Sequence, residues 1–281
     1  MNWKSAALML ALAVAGGIAP AQQDATKTAA ALTHDEEADE AAQMVGRALF
    51  LRCFCAEDNL SFDAQGHVAG QAKTTDWTLA AVNVQKVERK GPGEIELDGV
   101  KVAIRFATDR REFDRHPQND DKMRIVIADT GDVAAFERAL KSVFATGIDR
   151  ELQRAMPQYW QHYFEPGLAW PQDALTGQAI NSIAAATPTA SIAAVTHKSD
   201  AGYTPLAGRD RVGGTVRLRM VVDAEGMPRR IAVLQPLGYG LDERAVEALG
   251  KYRFTPAMVQ GQPVASNVTI DEEFVVVQTP R

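Results

Sequence analysis

The sequence predicts an α+β fold, and three observations carry that reading. Runs of alternating apolar and polar residues, such as Thr215–Val222, read as half-buried strands. Two segments place their apolar residues at helical spacing: Val133, Phe136, Leu140 and Val143, then Leu241, Ala245, Ala248, Leu249 and Tyr252. Short turn sequences, Asp98-Gly99 and Asp223–Gly226, join strands in hairpin fashion. With 281 residues, 46% hydrophobic and 23% charged, the chain is long enough for two ordinary domains, each with its own core.

At the N-terminus, Lys4 precedes an apolar run, Ala6 to Ile18, and then Ala19-Pro20-Ala21, the A-x-A form of a signal-peptidase site. Residues 1–21 therefore read as a signal peptide, cleaved to leave a periplasmic or secreted chain that begins at Gln22. Ser5 to Ile18 contains two glycines and is shorter than the roughly 20 residues of a comfortable spanning helix. Retained, it would anchor the protein in the inner membrane, facing the periplasm. Residues 22–32 read as a flexible tail.

Residues 33–171 read as an α+β domain of unidentified type. A helix is expected from Glu36 to Leu51, with an acidic first turn that suits the helix dipole. The acids clustered there with His34 read as a solvated helix start and not as a metal site. Cys53 and Cys55 are one residue apart. In an extended strand their Cα atoms would lie roughly 6.5–7 Å apart, at the limit for a bridge, so two buried thiols are expected ahead of a redox pair or an intermolecular link. Leu60 to Gly70 reads as a hairpin, Trp77 to Val87 as a strand, Glu94 to Phe106 as two strands about Asp98-Gly99, and Met123 to Ala128 as another strand. A helix follows from Asp132 to Phe144, and Tyr159 to Phe164 reads as an aromatic satellite of the core.

Residues 172–198 are Ala/Thr/Ser-rich with little patterning and read as a linker. In residues 199–281, Val216, Leu218, Met220 and Val222 form the buried face of a first strand, and Arg229 to Leu234 makes a second. A helix from Leu241 to about Tyr252 packs its stripe on them, Pro256 prevents its continuation, and a last strand runs from Val264 to Val277. The order strand, strand, helix, strand builds a three-stranded antiparallel sheet packed with helices.

Several function classes find no support. Residues 199–281 hold ten Lys/Arg and ten Asp/Glu, and residues 22–198 nineteen against twenty-six, which is no footprint of a nucleic-acid binder. The five histidines are dispersed, and no hydrolase, zinc-protease, P-loop or dinucleotide motif occurs. His116 among Asp114, Arg115, Asn119, Asp120 and Asp121 reads as a charged surface loop. No catalytic residue, metal site or cofactor is expected.

The run Gly214-Thr-Val216, the turn Asp223–Gly226, the helix start Leu241–Val246, Tyr252-Arg-Phe254 with Pro256-Ala257, Gly261–Val264 and terminal Phe274 resemble the C-terminal domain of the TonB family. The resemblance covers roughly residues 200–277. Tyr203, Pro205 and Ala207 match the family's lead-in in part, with Thr204 in place of a proline. Gly208 and Gly250 stand where helix formers are expected, and Glu272 shares a face with Val268, Ile270 and Phe274, reading as a bulge or an edge charge. The resemblance implies a periplasmic domain that adds the TonB box, an extended peptide of TonB-dependent outer-membrane receptors, to its last strand. A membrane-anchored form would work with ExbB–ExbD as an energy transducer in transmembrane transport. The partner-binding residues it implies are Ser266, Asn267, Val268, Thr269, Ile270, Asp271, Glu272, Glu273 and Phe274, with Arg253 as a secondary contact. Two alternatives stay open: a structural or assembly protein that forms a homodimer through the same edge, and an enzyme assembled within the middle region.

Overall fold

The computed structural model describes residues 35–276. The expected signal peptide and tail, and the end of the last strand at Val277, lie outside them. Asp35 begins a compact unit. Its elements, in chain order, are α1 (Glu36–Ala42), β1 (Ala48–Leu51), β2 (Asn59–Phe62), a 3-10 turn (Trp77–Leu79), β3 (Ala81–Gly91), β4 (Glu94–Ala107), β5 (Glu112–Ala128), α2 (Val133–Val143), β6 (Phe144–Ala145), α3 (Arg150–Ala155), α4 (Gln158–Phe164), β7 (Ala190–Ser191), β8 (Ala194–His197), α5 (Pro205–Arg209), β9 (Gly214–Val222), β10 (Pro228–Gln235), α6 (Leu241–Gly250), β11 (Arg253–Thr255), β12 (Ala257–Val259), β13 (Gln262–Val264) and β14 (Ser266–Phe274).

The first sheet has six strands in the order β2-β5-β4-β3-β1-β6, and β2 lies parallel to β5 while its other pairs are antiparallel. Helix α2 is capped by Asp132, whose carboxylate accepts the N–H groups of Ala134 and Ala135, and it buries Phe136, Leu140 and Val143 as its spacing predicts. The expected helix from Glu36 to Leu51 stops at Ala42. Gly46 takes φ 78°, and Ala48–Leu51 gains strand pairs on both sides, with β3 and β6. Asp98-Gly99 is no turn: β4 runs through it unbroken. A Cβ at Gly99 would lie 2.4 Å from the Asn83 carbonyl oxygen, so this glycine serves a close approach between strands. The turn falls later, near Arg111 at φ 57°. His116 lies within β5, a strand and not a surface loop.

The second sheet has the order β10-β9-β14, with Val216, Leu218, Met220 and Val222 fully buried beneath α6. The helical stripe Leu241, Ala245, Ala248, Leu249 and Tyr252 is buried as predicted. One hydrophobic cluster contains Trp77, Ile104 and Trp160 together with Leu218, Tyr252 and Phe274. The aromatic run on α4 lies inside that cluster and is no satellite: Trp160 and Trp77 meet edge to face at 5.2 Å.

The turn between β10 and α6 seats against the first sheet. Phe106 N–H donates to Leu237 O at 3.0 Å and Tyr239 N–H to Ile104 O at 2.9 Å. Residues 172–198 are also structured. Leu175 packs with Val221 and Ala265 on the sheet face opposite α6, Asp173 pairs with Arg230 at 2.6 Å, β7 pairs with β12, and β8 pairs with β11.

Cys53 and Cys55 are joined in a disulfide, with Cα atoms 5.2 Å apart. The expectation of two free thiols assumed an extended chain. Phe54 instead takes φ 49°, and that kink draws the flanking Cα atoms within bridging range.

Candidate functional site

Strand β14 is an edge strand. It pairs with β9 in unbroken register from Ser266 opposite Val222 to Phe274 opposite Gly214. Its side chains alternate: Ser266, Glu272 and Phe274 are buried, Val268 and Ile270 are half-buried against the core, and Asn267, Thr269, Asp271 and Glu273 are exposed.

Backbone direction decides what the edge can do. Asn267 N–H donates outward, to Asn181 O at 2.9 Å, and Asn181 N–H donates to Ala265 O at 2.8 Å. In an antiparallel pair, residues two apart turn their amide and carbonyl groups to the same side. Thr269, Asp271 and Glu273 therefore direct theirs away from β9 as Asn267 does, and among the described residues no strand pairs with them there. An extended chain can be received at those three residues.

A groove of about 690 Å³ reaches from this edge across the sheet, lined by Thr269, Ile270 and Asp271 from β14, by Arg217 of β9 and Leu234 of β10, and by Val195, Lys198 and Tyr252. Val195 is an exposed apolar wall. Arg217 grips Asp271 through two bonds of 2.7 Å, which hold that carboxyl below its ordinary pKa. Glu272 is neither a bulge nor an exposed edge charge. Its carboxylate is buried, accepts the Tyr252 hydroxyl at 2.9 Å and meets Lys198 Nζ at 3.5 Å. Burial and the bond to Glu272 push the Tyr252 hydroxyl well above its usual pKa.

The structure thus brings Ser266 to Phe274 together on one strand, five of them facing the core and four facing out. Arg253 stands apart on β11, where its guanidinium donates to the Lys251 and Tyr252 carbonyls at 3.1 and 2.6 Å. Sequence reasoning missed Asn181 and β8, which border the edge. Asn181 pairs through its backbone, and such pairing leaves no side-chain pattern; β8 is four exposed residues, Ala194–His197, without alternation. Among the described residues, no group of His, Cys, Asp and Glu could hold a metal ion, and no helix is long and apolar enough to cross a membrane.

The β-β-α-β order with an edge as its last strand is the architecture of a protein-interaction module. Residues 201–276 match the family model of the Gram-negative bacterial TonB protein C-terminal, so a TonB C-terminal domain occupies this region. No curated protein matches the chain. The family is a non-enzymatic interaction domain, periplasmic or envelope-associated, that engages outer-membrane receptors in general.

Proposed function

We propose that this protein binds extended peptides in the cell envelope by adding them to β14, and that the peptide is the TonB box of an outer-membrane receptor. The observation that carries the reading is the row of outward-facing amide and carbonyl groups at Thr269, Asp271 and Glu273, beside the groove walled by Val195. Backbone pairing supplies affinity, and the half-buried Ile270 with Val195 offers an apolar seat to alternate peptide side chains. With its N-terminal segment retained in the inner membrane, the chain would serve transmembrane transport as an energy transducer alongside ExbB–ExbD.

A proline scan along β14 tests it. Thr269→Pro removes one outward N–H donor and leaves the pairing with β9 intact, because proline is tolerated where the amide faces solvent. Binding of a TonB-box peptide to the full chain should weaken about tenfold, the worth of one lost backbone bond and its distorted neighbours. Ile270→Pro, whose amide faces β9, should unfold the strand instead. Unchanged affinity in a folded Thr269→Pro protein would sink strand addition here. Sedimentation of the same variant reports on the homodimer alternative, which needs the same edge.

A further inference from the structure

We infer that Cys53–Cys55 is a thiol–disulfide exchange site that takes an external thiol as its co-substrate. Three features of the bridge set it apart from a structural crosslink. It closes a loop of three residues, near the smallest a bridge can close, so it restricts the unfolded chain very little. It holds Phe54, a bulky L-residue, at φ 49°, a left-handed conformation that such residues rarely adopt and that costs free energy. The two sulfurs are unequally placed: Cys55 is 2% exposed, whereas Cys53 is only partly buried. A bridge with little entropic benefit, a strained central residue and one reachable sulfur has the properties of exchangeable disulfides.

The surroundings keep the two cysteines in place whether or not the bridge is closed. Phe54 N–H donates to Leu51 O at 3.1 Å, Thr75 N–H donates to Phe54 O at 2.8 Å, and Cys55 forms an antiparallel bridge with Thr74. The Phe54 ring packs against the main core cluster, while Cys53 and Cys55 pack on the neighbouring one. Opening the bridge therefore lets the Phe54 backbone relax, while β1 and the Thr74–Thr75 segment keep the two thiols near each other.

Access sets the order of events. An incoming thiolate attacks Cys53 Sγ, the S–S bond breaks, and Cys55 leaves with the bonding electron pair and takes up a proton. A second external thiolate then attacks its partner sulfur in the mixed disulfide, releasing an external disulfide and the Cys53 thiol. The net change is two external thiols oxidised to one disulfide and the protein disulfide reduced to a dithiol; the reverse reaction re-forms the bridge.

The full chain is equilibrated with mixtures of reduced and oxidised glutathione, quenched, alkylated and weighed, while circular dichroism verifies that it stays folded. Both cysteines should reach the dithiol form within the range of ratios that thiol reagents of the envelope span, where structural bridges remain closed. Phe54→Gly removes the cost of the left-handed backbone, so at a fixed ratio the dithiol-to-disulfide quotient should fall roughly fivefold. In single variants, the thiol left in Cys55→Ser should form its glutathione adduct at least about tenfold faster than the thiol left in Cys53→Ser, because reaction follows access. A bridge that stays closed in the folded chain at every ratio overturns the proposal. Equal adduct rates, or a Phe54→Gly quotient that does not move, overturn it as well.

Discussion

Asp242 holds its carboxyl where solvent does not reach: it is 0% exposed, and its two oxygens accept the N–H groups of Leu237 at 2.8 Å and Gly238 at 2.7 Å. Desolvation, with the buried Asp76 adding to it, raises its pKa to about 8. A carboxyl whose folded pKa lies above its unfolded value stabilises the fold fully below about pH 4, and that contribution is lost as pH rises through 8. His162 works in the opposite direction. It is 2% exposed, stacks on Trp170 at 3.6 Å, and neither ring nitrogen has a hydrogen-bond partner among the described residues. Burial, followed by the charge of Arg219, lowers its pKa, so its contribution is present above about pH 6.5 and lost as pH falls below that. The two limbs separate by experiment. Between pH 7.5 and 9 the imidazole is largely neutral in both states, and the native protein should lose about 1 kcal/mol, read by urea titration. Asp242→Asn should flatten that slope, leaving the part that the buried Asp76 carries, and cost about 1–3 kcal/mol at pH 6.5, since an amide can accept only one of the two N–H groups. His162→Phe should change stability by less than about 1 kcal/mol at pH 7.5 and flatten the acid limb, because it deletes two unpaired buried nitrogens and keeps the stack.

Elements in this fold are fixed as much by what they approach as by their own pattern. Gly238 sits at φ 89° between β10 and α6, and a Cβ there would lie 2.2 Å from the Ile104 carbonyl oxygen. Gly238→Ala should therefore push the turn off β4 and cost about 2–4 kcal/mol, seen as a lower melting temperature and altered emission from Trp77 and Trp160 near the seam. Such approaches explain which elements were legible in the sequence. Strand β9 and helices α2 and α6 declare themselves because one face is buried and the other is not, and that periodicity survives in the residues. Gly99 resembles a turn glycine, yet it lies mid-strand, because the Asn83 carbonyl, and not the local sequence, requires it. The first half of β5, Glu112 to Lys122, is polar and contains Pro117 at an irregularity in its pairing with β4, so no alternation marks it. The candidate site divides the same way. Its strand could be read residue by residue, whereas Asn181 could not, because it joins the edge through backbone atoms that every residue shares.

At the scale of the whole molecule the question is whether the TonB-type region is a separable domain. Its match begins at residue 201, after the Ala/Thr/Ser-rich stretch that composition marks as a linker. The packing points elsewhere. Leu237, Tyr239 and Leu241 are buried in the same cluster as Trp77, Ile104 and Trp160, and Asp242 shares its interior with Asp76, whose carboxylate accepts Trp160 Nε1 at 3.0 Å. Leu175, Val221 and Ala265 close the opposite face of the sheet. Domains that share a core unfold together, because neither can lose its contacts without exposing the other's apolar surface. Calorimetry of the chain should therefore show one transition with equal calorimetric and van't Hoff enthalpies, and a fragment of residues 199–281 should melt at least about 15 °C lower or lose cooperativity. Two resolved transitions, with the fragment as stable as the parent, would restore the division at residues 172–198. Under the single-transition outcome, a peptide bound at Thr269 to Glu273 stabilises the entire unit by mass action, so saturating TonB-box peptide should raise the one melting temperature and protect amides as distant as β4 from exchange.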